Sequence, residues 1–199
     1  MKRLLRVLVA DDEPEIRDYL SEALPRLGHE VVGTASSGRE LIDKARATNP
    51  DLVIADIRMP DIDGIEAAMV LNRDRQVPVI IVSAHHDAET LTRLGADHIM
   101  GYLIKPVSEA ELKAAITLAL VRYRHFLALS REAADLRQAL EDRKIIERAK
   151  GVIVKRLAVA EEEAYRKLRK FASDRNRKLI EVAQVVLHSE EIFYALEQS

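Results

Sequence analysis

Along the first hundred residues, short apolar runs rich in branched side chains alternate with amphipathic stretches of helical length. Residues 4–10 (LLRVLVA), 52–55 (LVIA), 77–82 (VPVIIV) and 101–104 (GYLI) are too short for helices. Their lack of apolar–polar alternation fits strands covered on both faces of a parallel sheet. Strands are expected near 4–10, 30–34, 51–55, 78–82 and 101–104, with helices near 14–27, 38–48, 63–72 and 87–97. A fifth helix starts at Ser108, an N-cap with Glu111 at the capping-box position. Pro25 should shorten or kink the end of the first helix. Repeated βα units of this length imply a doubly wound, five-stranded parallel sheet with right-handed crossovers.

Each of the four runs ends on residues suited to phosphate chemistry: Asp11, Asp12 and Glu13, then Asp56, then Ser83, then Lys105 and Pro106. Open α/β sheets bind ligands outside the carboxyl ends of their strands, so one sheet edge would gather carboxylates, a hydroxyl and an ammonium. Crowded carboxylates are costly without a cation, and Mg²⁺ favours hard oxygen ligands. An Asp carboxylate can attack a phosphoryl group, while Lys105 and Ser83 can pair with its oxygens. Glu13 reads as a first-turn helix charge, and the His85–His86 pair as solvated loop.

The remainder of the chain is built differently. All 6 prolines lie at or before Pro106, and of the 7 glycines only Gly151 follows Gly101, so this part reads as nearly uninterrupted helix. Leu112, Ala115, Ala119, Phe126, Leu129, Ala133, Leu136 and Leu140 follow three- and four-residue steps. That seam suits a parallel coiled-coil dimer, or a long helix packed on its own chain. Three amphipathic stretches follow, carrying Ile145, Ala149 and Ile153, then Ala164, Leu168 and Ala172, then Leu179, Val182 and Ala183. Such helices can bury one another as a small bundle.

Charge is uneven. Residues 143–180 hold 13 Lys/Arg against 5 Asp/Glu, an excess of eight in a chain whose formal net charge is −2. A basic segment on an otherwise acidic chain points to a local anionic partner. The chain has no cysteine, which excludes disulfide and thiol chemistry and suits a cytoplasmic setting. No run is long and apolar enough for a membrane span, and the N-terminus lacks the pattern of a signal peptide.

The stretches VLVADDEP, DLVIADIRMPDIDG, VIIVSA and GYLIKP resemble the receiver domain of two-component response regulators over residues 4–122. The resemblance implies a flavodoxin-like sheet and phosphorylation of Asp56 by a histidine kinase. It also implies Mg²⁺ held by Asp12, Asp56 and the Arg58 carbonyl, with Asp11 acting through water. Ser83 and Lys105 would hold the phosphoryl group, and the Lys105–Pro106 bond would be cis. Tyr102 falls at the switch position, with an ordinary core aromatic as the alternative. Receivers commonly carry Gly-Ala just before the last strand; His98 and Ile99 stand there, and Gly95-Ala96 lies earlier.

From about residue 140 to 195 the chain resembles the ANTAR domain, an RNA-binding three-helix output module of antitermination regulators. Ala149-Lys150-Gly151, Ala164-Tyr165, Leu168-Arg169, Ala172 and Leu179 through Ala183 carry the match. It implies binding to RNA hairpins, with Arg148, Lys150, Lys155, Arg169, Lys170, Asn176 and Arg177 as candidate contacts. A solvated basic face is the alternative. Tyr165 suits a core position or a base-stacking platform, and Gly151 suits close helix packing or close approach of an RNA backbone. The first interhelix turn departs from the family pattern: Ala158 and Ala160 stand where Gly and then Ser or Thr are usual.

The expected organisation is a receiver at 1–122, a coiled-coil linker at 123–141 and an ANTAR-like domain at 142–199. Phosphorylation would promote a homodimer that presents two RNA-binding modules. A DNA-binding transcription factor is the alternative, although LIEVAQVVLHSEEIFYAL is apolar and acidic rather than basic.

Overall fold

A computed structural model of the chain describes residues 4–84 and 99–198. The helix expected near 87–97, the His85–His86 pair, Gly95-Ala96 and His98 lie outside these residues. The elements run β1 (Arg6–Ala10), α1 (Pro14–Arg26), β2 (Glu30–Ala35), α2 (Gly38–Thr48), β3 (Leu52–Asp56), α3 (Gly64–Asp74), β4 (Val79–Ser83) and β5 (Ile99–Ile104). Three helices follow: α4 (Glu109–Leu157), α5 (Glu161–Asp174) and α6 (Leu179–Glu197). The chain divides into two compact units, Met1–Ala128 and Leu129–Ser199.

In the first unit the strands form one parallel sheet in the order β2-β1-β3-β4-β5. Successive strand residues point to opposite faces. Leu8, Ala10, Val53, Ala55, Val79 and Ile81 therefore pack on one side with α2 and α3. Val7, Val9, Leu52, Ile54, Ile80 and Val82 pack on the other with α1 and the start of α4. Both faces are buried, which explains the unbroken apolar runs. Pro25 is accommodated in the last turn of α1, and Gly28 takes φ 85° just beyond it. The Ser108–Glu111 capping box forms, with Ser108 N–H donating to Glu111 at 2.9 Å and Glu111 N–H to Ser108 Oγ at 3.3 Å.

The helical half follows the expected long helix and shorter helices, with two details added. The first amphipathic stretch of the bundle is not a separate short helix, because α4 runs without a break from Glu109 to Leu157. The seam also divides. Leu112 and Ala119 are fully buried against the sheet, with Ala115 and Phe126 packed beside them. Leu129, Leu136 and Leu140 are 66%, 61% and 60% exposed. Among the described residues, this second stretch of the stripe is the one left exposed.

In the second unit Ala149 of α4, Leu168 and Ala172 of α5, and Val182 and Ala183 of α6 form a small core, with Ile145, Ile153 and Leu179 packed against it. Ala158 joins α4 to α5 in the left-handed region at φ 51°, the conformation for which glycine is usual. Ala160 caps α5 without a side-chain hydrogen bond. The turn thus keeps its left-handed geometry with neither favourable residue. Gly151 is exposed, and a Cβ there would meet nothing within 4 Å, so close helix packing does not account for it.

Candidate phosphoacceptor site and output surface

Strand register alone brings the acidic residues together. Ala10 of β1 pairs with Ala55 of β3, which sets the following residues, Asp11 and Asp56, side by side. Asp56 pairs with Val82 of β4, and Ser83 pairs with Ile104 of β5. Ser83 and Lys105 therefore stand on neighbouring strands at the same sheet edge, and Lys105 N–H donates to the Ser83 carbonyl at 2.9 Å. The Lys105–Pro106 peptide bond is cis.

Asp11, Asp12 and Asp56 each offer a carboxylate oxygen within 4.8 Å of the other two. Asp11 and Asp56 are buried, and Asp12 is exposed. The Lys105 ammonium lies 2.9 Å from Asp11 Oδ2, 2.7 Å from Glu13 Oε1 and 3.7 Å from Asp56 Oδ1. Asp11 Oδ1 accepts from Glu13 N–H at 3.0 Å, whereas the buried Oδ2 faces the Lys105 ammonium. Burial raises the Asp56 carboxyl to about 6, against the pull of Lys105 and with help from Asp11 and Asp12. Burial likewise raises Asp11, outweighing its bonds to Lys105 and to Glu13 N–H. For Lys105, burial favours the neutral amine, but hydrogen bonds to Glu13 and Asp11 outweigh it and hold the ammonium above its ordinary range. The site thus has more negative charge than one lysine can neutralise. Its donors are hard carboxylate oxygens clustered within 4.8 Å of one another, and they fit Mg²⁺.

Three supporting residues escaped the reading of the sequence. Glu13 is not simply a first-turn helix charge, since its carboxylate holds Lys105. Arg17 donates to the Asp11 and Asp12 carbonyls at 2.7 and 3.0 Å, fixing the backbone of the acidic pair. Gly64 N–H donates to the Ile57 carbonyl at 2.9 Å, and a Cβ on Gly64 would lie 1.9 Å from the Asp56 carbonyl oxygen. The glycine of the DIDG stretch was the available signal for that close approach. Of the remaining candidates, Ser83 is buried, Arg58 is exposed on the loop after β3, and Tyr102 is half-buried against the core under α2 and α3.

In the second unit Arg148, Lys155, Arg169, Lys170, Asn176 and Arg177 are all exposed. Arg148 and Lys155 are seven residues apart on α4 and so share a face. Asn176, at φ 49°, turns the chain between α5 and α6. Lys150 differs from these. Its side chain is only 12% exposed, and its ammonium is held by Glu147 at 2.8 Å and Glu161 at 2.7 Å. It also lies 5.8 Å from the centre of the exposed Tyr165 ring. Lys150 is a strut between α4 and α5 more than a free surface cation.

The receiver-domain fold follows from this sheet order and edge. The family model of the response regulator receiver domain matches residues 7–117, and that of the ANTAR domain matches residues 134–187. A response regulator receiver domain protein from Clostridium thermocellum superposes with TM-score 0.56 at 31% identity, over 61% of this chain and 98% of that one. The signal receiver domain of a modulated diguanylate cyclase from Desulfovibrio desulfuricans G20 gives TM-score 0.57 at 30% identity, with the same coverage. The transcriptional regulatory protein PdtaR of Mycobacterium tuberculosis is 40% identical over 184 residues, 92% of this chain and 90% of its own length.

The chain belongs to the two-component response regulators, with a receiver domain followed by an ANTAR output domain. It is a signalling protein rather than a conventional enzyme, and the DNA-binding alternative is not favoured.

Proposed function

We propose that Asp56 accepts a phosphoryl group from a histidine kinase and that this event controls RNA binding by the C-terminal unit. The observation that carries the reading is the Asp11–Asp12–Asp56 cluster, with Asp11 and Asp56 buried, facing Lys105 at the sheet edge. An Asp56 carboxylate oxygen forms a bond to phosphorus while the kinase's phosphohistidine P–N bond breaks. Mg²⁺, held by Asp11, Asp12, Asp56 and the Arg58 carbonyl, would neutralise phosphoryl charge when bound. Lys105 leaves its pairing with Glu13 for a phosphoryl oxygen, and the Ser83 hydroxyl donates to another. Tyr102, beside Leu103 and Ile104 on the same strand, reports the change to the signalling face.

The proposed division is a receiver at 1–122, a coiled-coil linker at 123–141 and an RNA-binding domain at 142–199, operating in the cytoplasm. Among the described residues no helix is long and apolar enough to cross a membrane. Phosphorylation favours pairing along Leu129, Leu136 and Leu140, so two modules meet paired RNA hairpins. Arg148, Lys155, Arg169, Lys170, Asn176 and Arg177 supply phosphate contacts, with Lys150 supporting them from behind.

Acetyl phosphate with Mg²⁺ tests the first half: wild-type protein gains one phosphoryl group, and Asp56→Asn protein gains none. Equal labelling of the variant would refute the assignment. For the second half, hairpin RNA is compared with duplex DNA at physiological salt. Equal binding to both would reduce the basic face to a non-specific electrostatic surface.

A further inference from the structure

The Lys105 ammonium rests nearer to Glu13 than to the proposed phosphoacceptor. It lies 2.7 Å from Glu13 Oε1 and 2.9 Å from Asp11 Oδ2, both hydrogen-bond distances. Asp56 Oδ1 is 3.7 Å away, too far for a direct hydrogen bond. An ammonium has three donors, and two of these are engaged by carboxylates other than Asp56. The Lys105 side chain is only 10% exposed, so its carboxylate neighbours decide where the charge settles.

The two engaged carboxylates differ in how readily they can let go. Asp11 is buried, and Glu13 N–H and the Arg17 guanidinium fix its carboxylate and its carbonyl in place. The Glu13 side chain is 53% exposed, so its charge stays solvated when the pair opens. Glu13 is also the N-cap residue of α1, extended at φ −79° and ψ 115°. A side chain at that position ordinarily accepts from the first N–H groups of its helix, yet that of Glu13 makes no such bond. Its carboxylate turns instead to a lysine 92 residues away in sequence. The side chain does nothing for the helix that it begins.

We infer that Glu13 is a competing partner for Lys105 that sets how strongly Asp56 holds a phosphoryl group, an inference that rests on Asp56 being the phosphoacceptor. The resting chain keeps the Glu13–Lys105 pair. The phosphorylated chain gives it up for a contact between Lys105 and a phosphoryl oxygen. An interaction present in one state alone shifts the equilibrium toward that state, so Glu13 biases the receiver toward its resting form. Glu13 works through Lys105 and touches no reacting atom, which makes it a positioning residue.

Fluoroberyllate, a phosphoryl mimic, tests this at equilibrium on the full chain with Mg²⁺ present. Its beryllium exchanges a water for an Asp56 carboxylate oxygen, with no change of oxidation state, and fluorine NMR reads the bound fraction. Glu13→Gln keeps the size of the side chain and removes its charge, so this protein should bind fluoroberyllate several-fold more tightly than wild type. A merely structural defect would weaken binding. The gain should vanish when Lys105→Met is added, and it should be absent from Glu15→Gln protein, which loses an exposed charge in the first turn of α1. An equal gain from Glu15→Gln, or one that survives Lys105→Met, would reduce Glu13 to general repulsion of an anion and overturn the inference. So would unchanged or weaker binding by Glu13→Gln protein when wild type binds and Asp56→Asn protein does not. Wild-type protein that binds no fluoroberyllate, or Asp56→Asn protein that binds it equally well, would remove the phosphoacceptor reading and this inference with it.

Discussion

Gly64 sits against the backbone of Asp56: a single added carbon would stand 1.9 Å from the Asp56 carbonyl oxygen. That oxygen belongs to the loop that aims the proposed phosphoacceptor, and Gly64 N–H is bonded to Ile57 in the same loop. Gly64→Ala therefore forces the start of α3 and the end of β3 apart. Overpacking of this kind costs ~1–3 kcal/mol. Urea melts should show that loss, and acetyl phosphate labelling of Asp56 should slow although no acidic residue has changed. Wild-type labelling with wild-type stability would mean that the loop relaxes freely.

The acidic cluster predicts a pH dependence whose sign is fixed. Asp56 is raised to about 6 in the folded chain from its ordinary value of 3.8, chiefly by burial, and Asp11 is raised too. Between these limits the folded state binds more protons than the unfolded state, so metal-free stability falls as pH rises from about 4 to about 6. A divalent cation binds the ionised cluster and reverses that loss. Stabilisation by Mg²⁺ should thus be small at pH 5 and full near pH 7, read as the rise in Tm. Asp56→Asn should remove much of the pH dependence. A rise in Tm equally large at pH 5 would count against ionised Asp56 as part of the metal site.

The turn between α4 and α5 holds unrealised stability. Ala158 occupies the left-handed region at φ 51°, and Ala160 leaves the first turn of α5 without a side-chain acceptor. Ala158→Gly should stabilise the C-terminal unit by ~1 kcal/mol, because the left-handed conformation penalises Cβ. Ala160→Ser should add ~0.5–2 kcal/mol through the restored cap. Both gains should appear in thermal melts of the C-terminal transition and leave phosphorylation of the receiver unchanged.

Strands and acidic residues were legible because they obey local rules. A strand buried on both faces must be apolar throughout, and parallel strands in register must deliver their terminal residues to one edge. What Lys105 and Glu13 do to each other was not legible, because a sequence-distant ion pair leaves no periodic mark. The seam misled in a different way. Leu112 and Leu136 obey the same spacing, yet one packs on the sheet and the other is left 61% exposed. Periodicity identifies the face of a helix, not what covers it. Gly151 likewise signalled closeness, but the helices leave it open.

The exposed half of the seam makes a prediction that the buried half cannot. Replacing Leu129 and Leu136 with Gln removes apolar surface that is already solvated in the monomer, so the receiver should melt as before. Sedimentation of the phosphorylated or phosphate-mimic form should shift toward monomer. A wild-type chain that stays monomeric at high concentration, with and without phosphate mimic, would remove the coiled-coil reading.

The basic face can be dissected by the different surroundings of its lysines and arginines. Arg169 and Lys170 are exposed, whereas Lys150 is enclosed by Glu147 and Glu161, whose hydrogen bonds raise it above its ordinary range. Each phosphate contact contributes about −0.7 to −0.9 to the log–log dependence of affinity on salt. Neutralising Arg169 and Lys170 together should therefore make the slope for stem-loop RNA shallower by up to ~2 while leaving Tm unchanged. Lys150→Met should act the other way round, lowering Tm because two glutamates lose their shared partner, with a smaller change in slope. If Lys150→Met instead reduces the slope as much as a surface contact and leaves Tm intact, Lys150 swings out to the RNA, and its pairing with Glu161 is a feature of the free protein alone.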